Sequence, residues 1–554
     1  MTRSKRCDRL GKRFRSFVLE NFSPMWRLIE RVPFIKSQTN AAIINIACNT
    51  AKFRPHPMST IADYTSWTSL TDKTYLSRAL PPAMLSDDLP DIGLVTSLFS
   101  LRPEGQRTCP KSTLLFPVFA QYLTDGFLRT DHHDKRKTTS NHDIDLSPLY
   151  GRTVAQTQTL RLRSEEQGRK GRLKSQMING EEFPPSLYEL DSDMINTDFI
   201  DDHGANLLDP PLGIRDEWET GERSRRYIFA VGGDRANSTA MVAMMNALFL
   251  REHNRLASEI ERRNPDWDDE RIFETARNVV IVLFIKIVVE EYINHISSAC
   301  FRLRVEPKVA WLAPWNRPNW MTIEFSLLYR WHALIPERMR WGNGDVDSAL
   351  MLLDNRRLVE AGLANAFKWV SATPAAKLGL HNTAIFLESG KTPGPTSKGL
   401  TVEWLAVKQN RDLRLQGYNA YRKAMGMKPV DDFDCVTGDT KVQAELKALY
   451  GHPDNIDFYV GLFAEESGPN TPLPPLIGAM VALDAFSQAL NNPLLSEQVF
   501  HSGTFTEYGL HVVKNTNCLA EVLGRNIKSR SVQDINPTNI CMTRPEWRRT
   551  FVAL

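Results

Sequence analysis

The 554-residue chain is poor in cysteine. Its seven (Cys7, Cys48, Cys109, Cys300, Cys435, Cys518 and Cys541) are widely scattered and form no CxxC pair. That scatter excludes a disulfide-framed scaffold and a zinc-ribbon site, and it reads as a reducing compartment. Long hydrophobic runs are also missing. The longest, Val279 to Val289, is broken by Lys286 and falls far short of the roughly 20 residues a membrane span requires. No secretory leader is predicted, because no apolar core with a small-residue cleavage site follows the basic N-terminus. Charge of one sign is lacking overall: 68 Lys and Arg nearly cancel 65 Asp and Glu, leaving +3. That balance argues against a dedicated nucleic-acid binder. No internal repeat is visible.

What is present is mainly helical periodicity. Apolar residues recur at helical spacing over 112–130, 236–262, 268–300, 321–334, 347–372, 402–426 and 476–492, which predicts a mainly α fold with one large helical domain. The stretch 131–230, rich in charge, Gly and Pro, reads as mostly loop, as do 385–400 and 465–475. Charge is concentrated at the front: residues 1–36 hold ten Lys or Arg against three acidic residues, interleaved with Phe, Trp, Leu and Ile. A basic stretch bearing large apolar side chains suits short amphipathic helices lying on an anionic membrane surface; the ordinary alternative is a basic arm or helices docked on the body. The expected division is 1–52, amphipathic membrane-binding helices, and 53–554, the catalytic domain, with the protein peripheral on a cytoplasmic membrane face.

Polar residues inside apolar segments mark candidate chemistry. In EFSLLYRWHALIP, Tyr329 and His332 lie three apart, which on a helix puts both on one face. A histidine among Phe325, Leu327, Leu328, Trp331 and Leu334 is poorly hydrated and stays neutral, as a metal ligand must. By spacing alone a satisfied core histidine remains the ordinary explanation. In LFPVFAQYLTDGF, Gln121 and Asp125 stand at i and i+4, so both can face one cavity, and buried polar pairs usually have partners or a task. LREHNR closes a long apolar helix as a charged, ion-paired end, and DIDLSPLYG reads as turn chemistry.

Taken together FAQYLTDGFLRT, DIDLSPLYG, LREHNRLA and EFSLLYRWHALIP resemble the peroxidase–cyclooxygenase superfamily of haem proteins, and within it the prostaglandin endoperoxide synthases (cyclooxygenases). The stretches around Glu290 and Tyr292, RLQGYNAYRKAMGMKP and ELKALYGHPDNIDFYVGLFAEE come in the same order, so the resemblance covers roughly 55–525. It implies a helical haem-peroxidase fold and a haem b, one per chain, with no calcium expected. His332 matches the proximal ligand of the haem iron, and Tyr329 the tyrosine whose radical removes hydrogen from a fatty acid. Gln121 matches the distal glutamine, and Arg235 the distal arginine of the peroxidase branch. Tyr292 matches a tyrosine that holds the radical tyrosine. Phe325, Leu328, Trp331, Ser297 and Ser487 match walls of the fatty-acid channel. The implied partners are an unsaturated fatty acid, O₂ and a membrane surface, with a homodimer by analogy.

Three departures stand out. The distal histidine of the family is replaced by Asp125; His132 and His133 read as loop residues rather than substitutes. The channel-mouth tyrosine is Ala299, and the carboxylate-pairing arginine has no clean counterpart, with Lys52 and Arg54 nearest its place. The positions that esterify haem in the peroxidase branch hold Asn237, Ser238 and Thr239, with Gly126 at the other, so the haem is expected to be non-covalent. The reading is a haem-dependent fatty-acid dioxygenase. Its alternatives are an α-dioxygenase-type oxygenase, a haem peroxidase of small reducing substrates, and a non-catalytic haem binder.

Overall fold

The computed structural model describes residues 20, 23–49, 60–84, 88–189, 194–212, 225–388, 401–468, 470–527 and 535–547. Lys52 and Arg54 lie outside them. The elements that frame the site are α1 (Ser23–Glu30), α2 (Pro33–Asn49), α3 (Leu115–Phe127), α4 (Ala240–Arg263), α5 (Asp269–Ile287), α6 (Ile323–Leu328), α7 (Val402–Asp412), α8 (Phe458–Ala464), α9 (Pro475–Leu490) and α10 (Ser502–Lys514). The described strands pair only as three two-stranded antiparallel ribbons, one of them Thr108–Thr113 with Pro374–Ala376. The expected mainly α fold is therefore the observed one.

Local chemistry starts these helices where the apolar pattern begins. Thr239 caps α4 by accepting from the Val242 N–H, Asp268 caps α5 from Arg271, and Thr401 caps α7 from Trp404. Each such cap stabilises by about 1 kcal/mol. The centre is α3, α4 and α5, whose facing sides carry Phe119, Tyr122, Phe249 and Phe284, with rings 5.2–5.8 Å apart. Gly509 lets α10 lie close on α5, because a Cβ there would stand 2.6 Å from Val279.

Four segments depart from the expected periodicity, one of them 402–426, which is helical over Val402–Asp412 and Tyr418–Ala424 and irregular between. The 321–334 segment is helical only to Leu328, and His332–Leu334 is a separate 3₁₀ turn. Tyr329 and His332 therefore do not share one α-helical face. The physical reason is a side chain: Trp331 Nε1 donates to Leu328 O at 2.7 Å, taking the carbonyl the next helical turn needs. The 268–300 segment loosens into a π-helical turn over Val288–Ile293, inside which Asn294 Nδ2 donates to Glu290 O. The 347–372 segment breaks at Gly362, whose φ of +73° no helix accommodates.

The front helices pack on the body through one side. Trp26 is buried against Phe301, Asn40 bonds Arg304 O and Glu306, and α2 lies on α9. The other side bares Leu28 at 65% and Phe34 at 74% exposure, with Val32, Ile35 and Ile46 also exposed. Among the described residues no helix is long and apolar enough to cross a membrane.

Candidate active site

The short helix α6 is placed by a buried carboxylate. Glu324, in its first turn, accepts from the Ala79 and Leu80 N–H groups and from the Tyr421 hydroxyl. Thr322 caps the same turn. Beyond the helix end, Tyr329 packs between Phe325 and Trp331, each ring centroid 4.8 Å away, the indole nearly parallel at 22°. Leu328 is fully buried, and Phe325 also stacks on Phe127 of α3.

Tyr292 comes to Tyr329 from the π-helical turn. Its ring lies 5.7 Å from Phe116 and 5.6 Å from Phe119 on α3. Burial first, and the neighbouring Tyr329 phenol second, push the Tyr292 hydroxyl well above the ordinary phenol range; among the described residues that hydroxyl closes no hydrogen bond. A π turn adds one residue to the helix and re-aims the side chains beyond it; here it carries the residue that meets Tyr329.

His332 faces the other way along the same segment. Its Nδ1 lies 3.1 Å from Glu403 Oε1 on α7. A carboxylate is an acceptor, so Nδ1 is the donating nitrogen and Nε2 keeps its lone pair. Nε2 takes no hydrogen bond among the described residues, and the side chain is 26% exposed. Glu403 is itself buried and further accepts from the Tyr459 hydroxyl at 2.6 Å and the Thr383 hydroxyl at 3.2 Å. None of these three partners was expected from the sequence. Between Tyr329 and His332, Arg330 donates to Gln409 Oε1 at 2.6 Å.

The distal candidates lie on and beside α3. Gln121 Nε2 donates to Ser238 Oγ at 3.0 Å, and Arg235 Nη1 lies 3.8 Å from Asp125 Oδ1. Asp125 is buried, and its Oδ2 has no hydrogen-bond partner among the described residues. Burial raises the Asp125 carboxyl to about 6, opposed by Arg235 and aided by Asp234. Behind it, Arg129 pairs with Asp234 and Asp209, and Arg152 with Asp209, so the nearby acids other than Asp125 are taken. His132 is half exposed, 3.8 Å from Asp234, and His133 turns in the exposed loop that Asp131 caps. Arg235, Arg330 and Lys135 lie within electrostatic reach of one another. Through these cations the distal and proximal segments come near each other.

The other expected residues fall in two groups. Ser487 lies on α9, buried and bonded back to Leu483 O and Asp484 O; α9 packs on α6 and on the π-helical turn. Ser297 ends the segment after that turn, and its carbonyl accepts from Lys111 Nζ, which also donates to Asn470 O. Burial lowers the Lys111 ammonium to about 8. The LREHNR and DIDLSPLYG motifs prove to be scaffold. Glu252 holds Arg255, Arg525 and Asn526. His253, lowered to about 3 by burial, links Tyr150 to Gly171 O. Ser147 of the second motif donates to Gly126 O, fixing the end of α3.

The residues fit a haem. Among the described residues one histidine leaves Nε2 without a hydrogen bond, the buried Asp125 on the distal helix keeps one carboxylate oxygen unpartnered, and three cations near both suit two propionates. The chain is 28% identical to prostaglandin G/H synthase 2 of Gallus gallus over 530 residues, 92% of this chain and 80% of that one. It is 28% identical to prostaglandin G/H synthase 1 of Rattus norvegicus over 93% of this chain and 81% of that one. Among solved structures it resembles the fatty acid alpha-dioxygenase of Oryza sativa, with TM-score 0.65, 18% identity, and coverage of 84% of this chain and 83% of that one. It also resembles peroxidase A of Dictyostelium discoideum, with TM-score 0.67, 18% identity, and coverage of 85% and 94%. The animal haem peroxidase model matches residues 120–538, so the chain belongs to the animal haem peroxidase family, whose members are haem-binding oxidoreductases.

Proposed function

We propose that this chain is a fatty-acid dioxygenase in which His332 holds haem b non-covalently and Tyr329 carries the hydrogen-abstracting radical. The observation that carries it is the setting of Tyr329, wedged between Phe325 and Trp331 with the buried Tyr292 phenol nearby. A haem bound at His332 and given a trace of hydroperoxide supplies a one-electron oxidant. Tyr329 loses an electron and its phenolic proton. The resulting phenoxyl takes a hydrogen atom from the fatty acid, restoring the phenol; O₂ adds to the carbon radical, and the peroxyl takes a hydrogen atom back from Tyr329, leaving a hydroperoxide. The protein's part is placement: Leu328, Phe325 and the α9 wall with Ser487 exclude water and set which C–H meets Tyr329. Ring closure to an endoperoxide depends on that wall's shape.

Asp125, titrating near 6, can take a proton from one peroxide oxygen and return it to the other, the task a distal histidine has elsewhere. Asn237, Ser238 and Thr239 bear no carboxylate that could esterify a haem, and they are engaged as a loop staple, the Gln121 partner and the α4 cap. The likeness to a fatty acid alpha-dioxygenase supports a second reading, oxygen insertion near the carboxyl end. Lys52 and Arg54 remain candidates for the carboxylate grip.

The test is oxygen uptake and product mass spectrometry over a panel of fatty acids, beside guaiacol oxidation. Tyr329→Phe should abolish fatty-acid oxygenation, at least about 100-fold, while keeping the haem absorption band and guaiacol turnover. Oxygenation that survives in Tyr329→Phe removes the radical role.

A further inference from the structure

The proximal side of the cavity holds more machinery than a ligand. Glu403 stands at the second position of α7, after the Thr401 cap, and sends one oxygen to His332 Nδ1 and the other to the Tyr459 hydroxyl. A carboxylate here is costly to bury, about 3% exposed, unless hydrogen-bonded, and its donors are placed on separate elements: His332 on the 3₁₀ turn, Tyr459 on α8, Thr383 before the Ile385–Glu388 turn. Four pieces of chain converge to set one carboxylate behind one imidazole. A packing role alone would not need them.

We propose that Glu403 is a positioning and electron-donating residue that makes His332 a strongly basic iron ligand, and that Tyr459 tunes it. The proposal rests on His332 as the ligand. An ionised acceptor makes a hydrogen bond roughly twice as strong as a neutral one. It pulls the Nδ1 proton toward Glu403 and leaves more electron density at Nε2, raising ligand basicity. The same bond fixes the tautomer, with the proton on Nδ1 and the lone pair on Nε2. The Tyr459 hydroxyl, donating to the far oxygen, withdraws part of that charge and moderates the effect. Such a push from behind matters in this chain because the far side offers Asp125 where a histidine would stand. Cleaving a peroxide bond can be assisted by a better proton shuttle or by a richer iron, and the structure is built for the second.

The two partners act in opposite directions, which gives a test independent of turnover. In haem-loaded protein, Glu403→Gln keeps shape and an acceptor oxygen but makes the bond neutral. It should raise the haem reduction potential and lower the ferrous iron–histidine stretching frequency seen by resonance Raman. Tyr459→Phe should shift both readouts the opposite way, and Glu403→Asp should recover part of the wild-type value. The peroxide reaction of Glu403→Gln should slow about 10-fold or more. Unchanged potential and stretch in Glu403→Gln, or shifts of the same sign in both variants, overturn the proposal. If His332→Ala retains the wild-type haem spectrum, the ligand assignment itself fails, a result separate from either of these.

Discussion

At the scale of the residue, the proposed start of the radical chemistry turns on Asp125. Its carboxyl sits at about 6 because burial outweighs the Arg235 guanidinium 3.8 Å away. This sets the direction of the pH effect. Below that value the group is protonated and cannot accept a proton from hydrogen peroxide; above it the carboxylate can. The rate of the haem–peroxide reaction should therefore rise with pH through about 6 and level off. Asp125→Asn should flatten that profile and slow the reaction by roughly 100-fold, and Asp125→His should accelerate it. Stopped-flow absorbance across pH 4.5–8 would show this (roughly the range in which such a carboxyl titrates); an unchanged profile in Asp125→Asn assigns the proton transfer elsewhere. The residues of the site were unequally legible. Gln121, Asp125, Tyr329 and His332 announce themselves as polar groups in apolar runs. Glu403 does not, because 71 residues separate it from His332 and only the fold joins them. The value near 6 at Asp125 is likewise a product of burial, which no local pattern carries.

At the scale of the element, the short helix α6 must hold Tyr329 steady although it spans only Ile323–Leu328. So short a helix has little stability of its own, and Glu324 supplies an anchor from outside it. Removing the carboxylate with Glu324→Ala leaves the buried Ala79 N–H and Tyr421 hydroxyl, and the half-buried Leu80 N–H, without their acceptor. Each orphaned buried group costs about 1–3 kcal/mol, so the variant should lose about 3 kcal/mol or more and bind haem less tightly. Glu324→Gln, which keeps one acceptor oxygen, should lose less. Denaturant unfolding of the three proteins checks the order, and equal stability of Glu324→Ala and wild type would refute the anchor. Elements were legible where the apolar period is long: α3, α4, α5 and α9 lie where the spacing puts them. Periodicity overran at α6 because the Trp331 indole captures the Leu328 carbonyl. It also passed over the π-helical turn, since one extra residue in a helix leaves an apolar run apolar. Both failures occur beside Tyr329, where the chain gives up regular hydrogen bonding to aim side chains.

At the scale of the whole molecule, the front helices join the body by one side and present Leu28, Val32, Phe34, Ile35 and Ile46 to solvent on the other. The sequence showed an amphipathic, basic front, but it could not say which side docks. The structure answers that in part: Trp26, Asn40 and the buried Ile44 face the body, so the docked-helix alternative holds for that side, and we propose the membrane-facing role for the other. Bare apolar side chains grouped beside basic residues suit the boundary between headgroups and acyl chains. A fatty acid would then reach the protein from the bilayer rather than from water. Full-length protein should co-sediment with vesicles containing phosphatidylserine, more weakly as salt rises. Burying a Leu or Phe side chain contributes about 1.5–3 kcal/mol, so Leu28→Asp/Phe34→Asp should weaken partitioning by about 100-fold or more. Neither residue touches the cavity, so guaiacol oxidation should stay at the wild-type rate while oxygenation of vesicle-borne fatty acid falls. Equal sedimentation of variant and wild type would leave α1 and α2 as packing elements only, and the substrate would have to arrive through water.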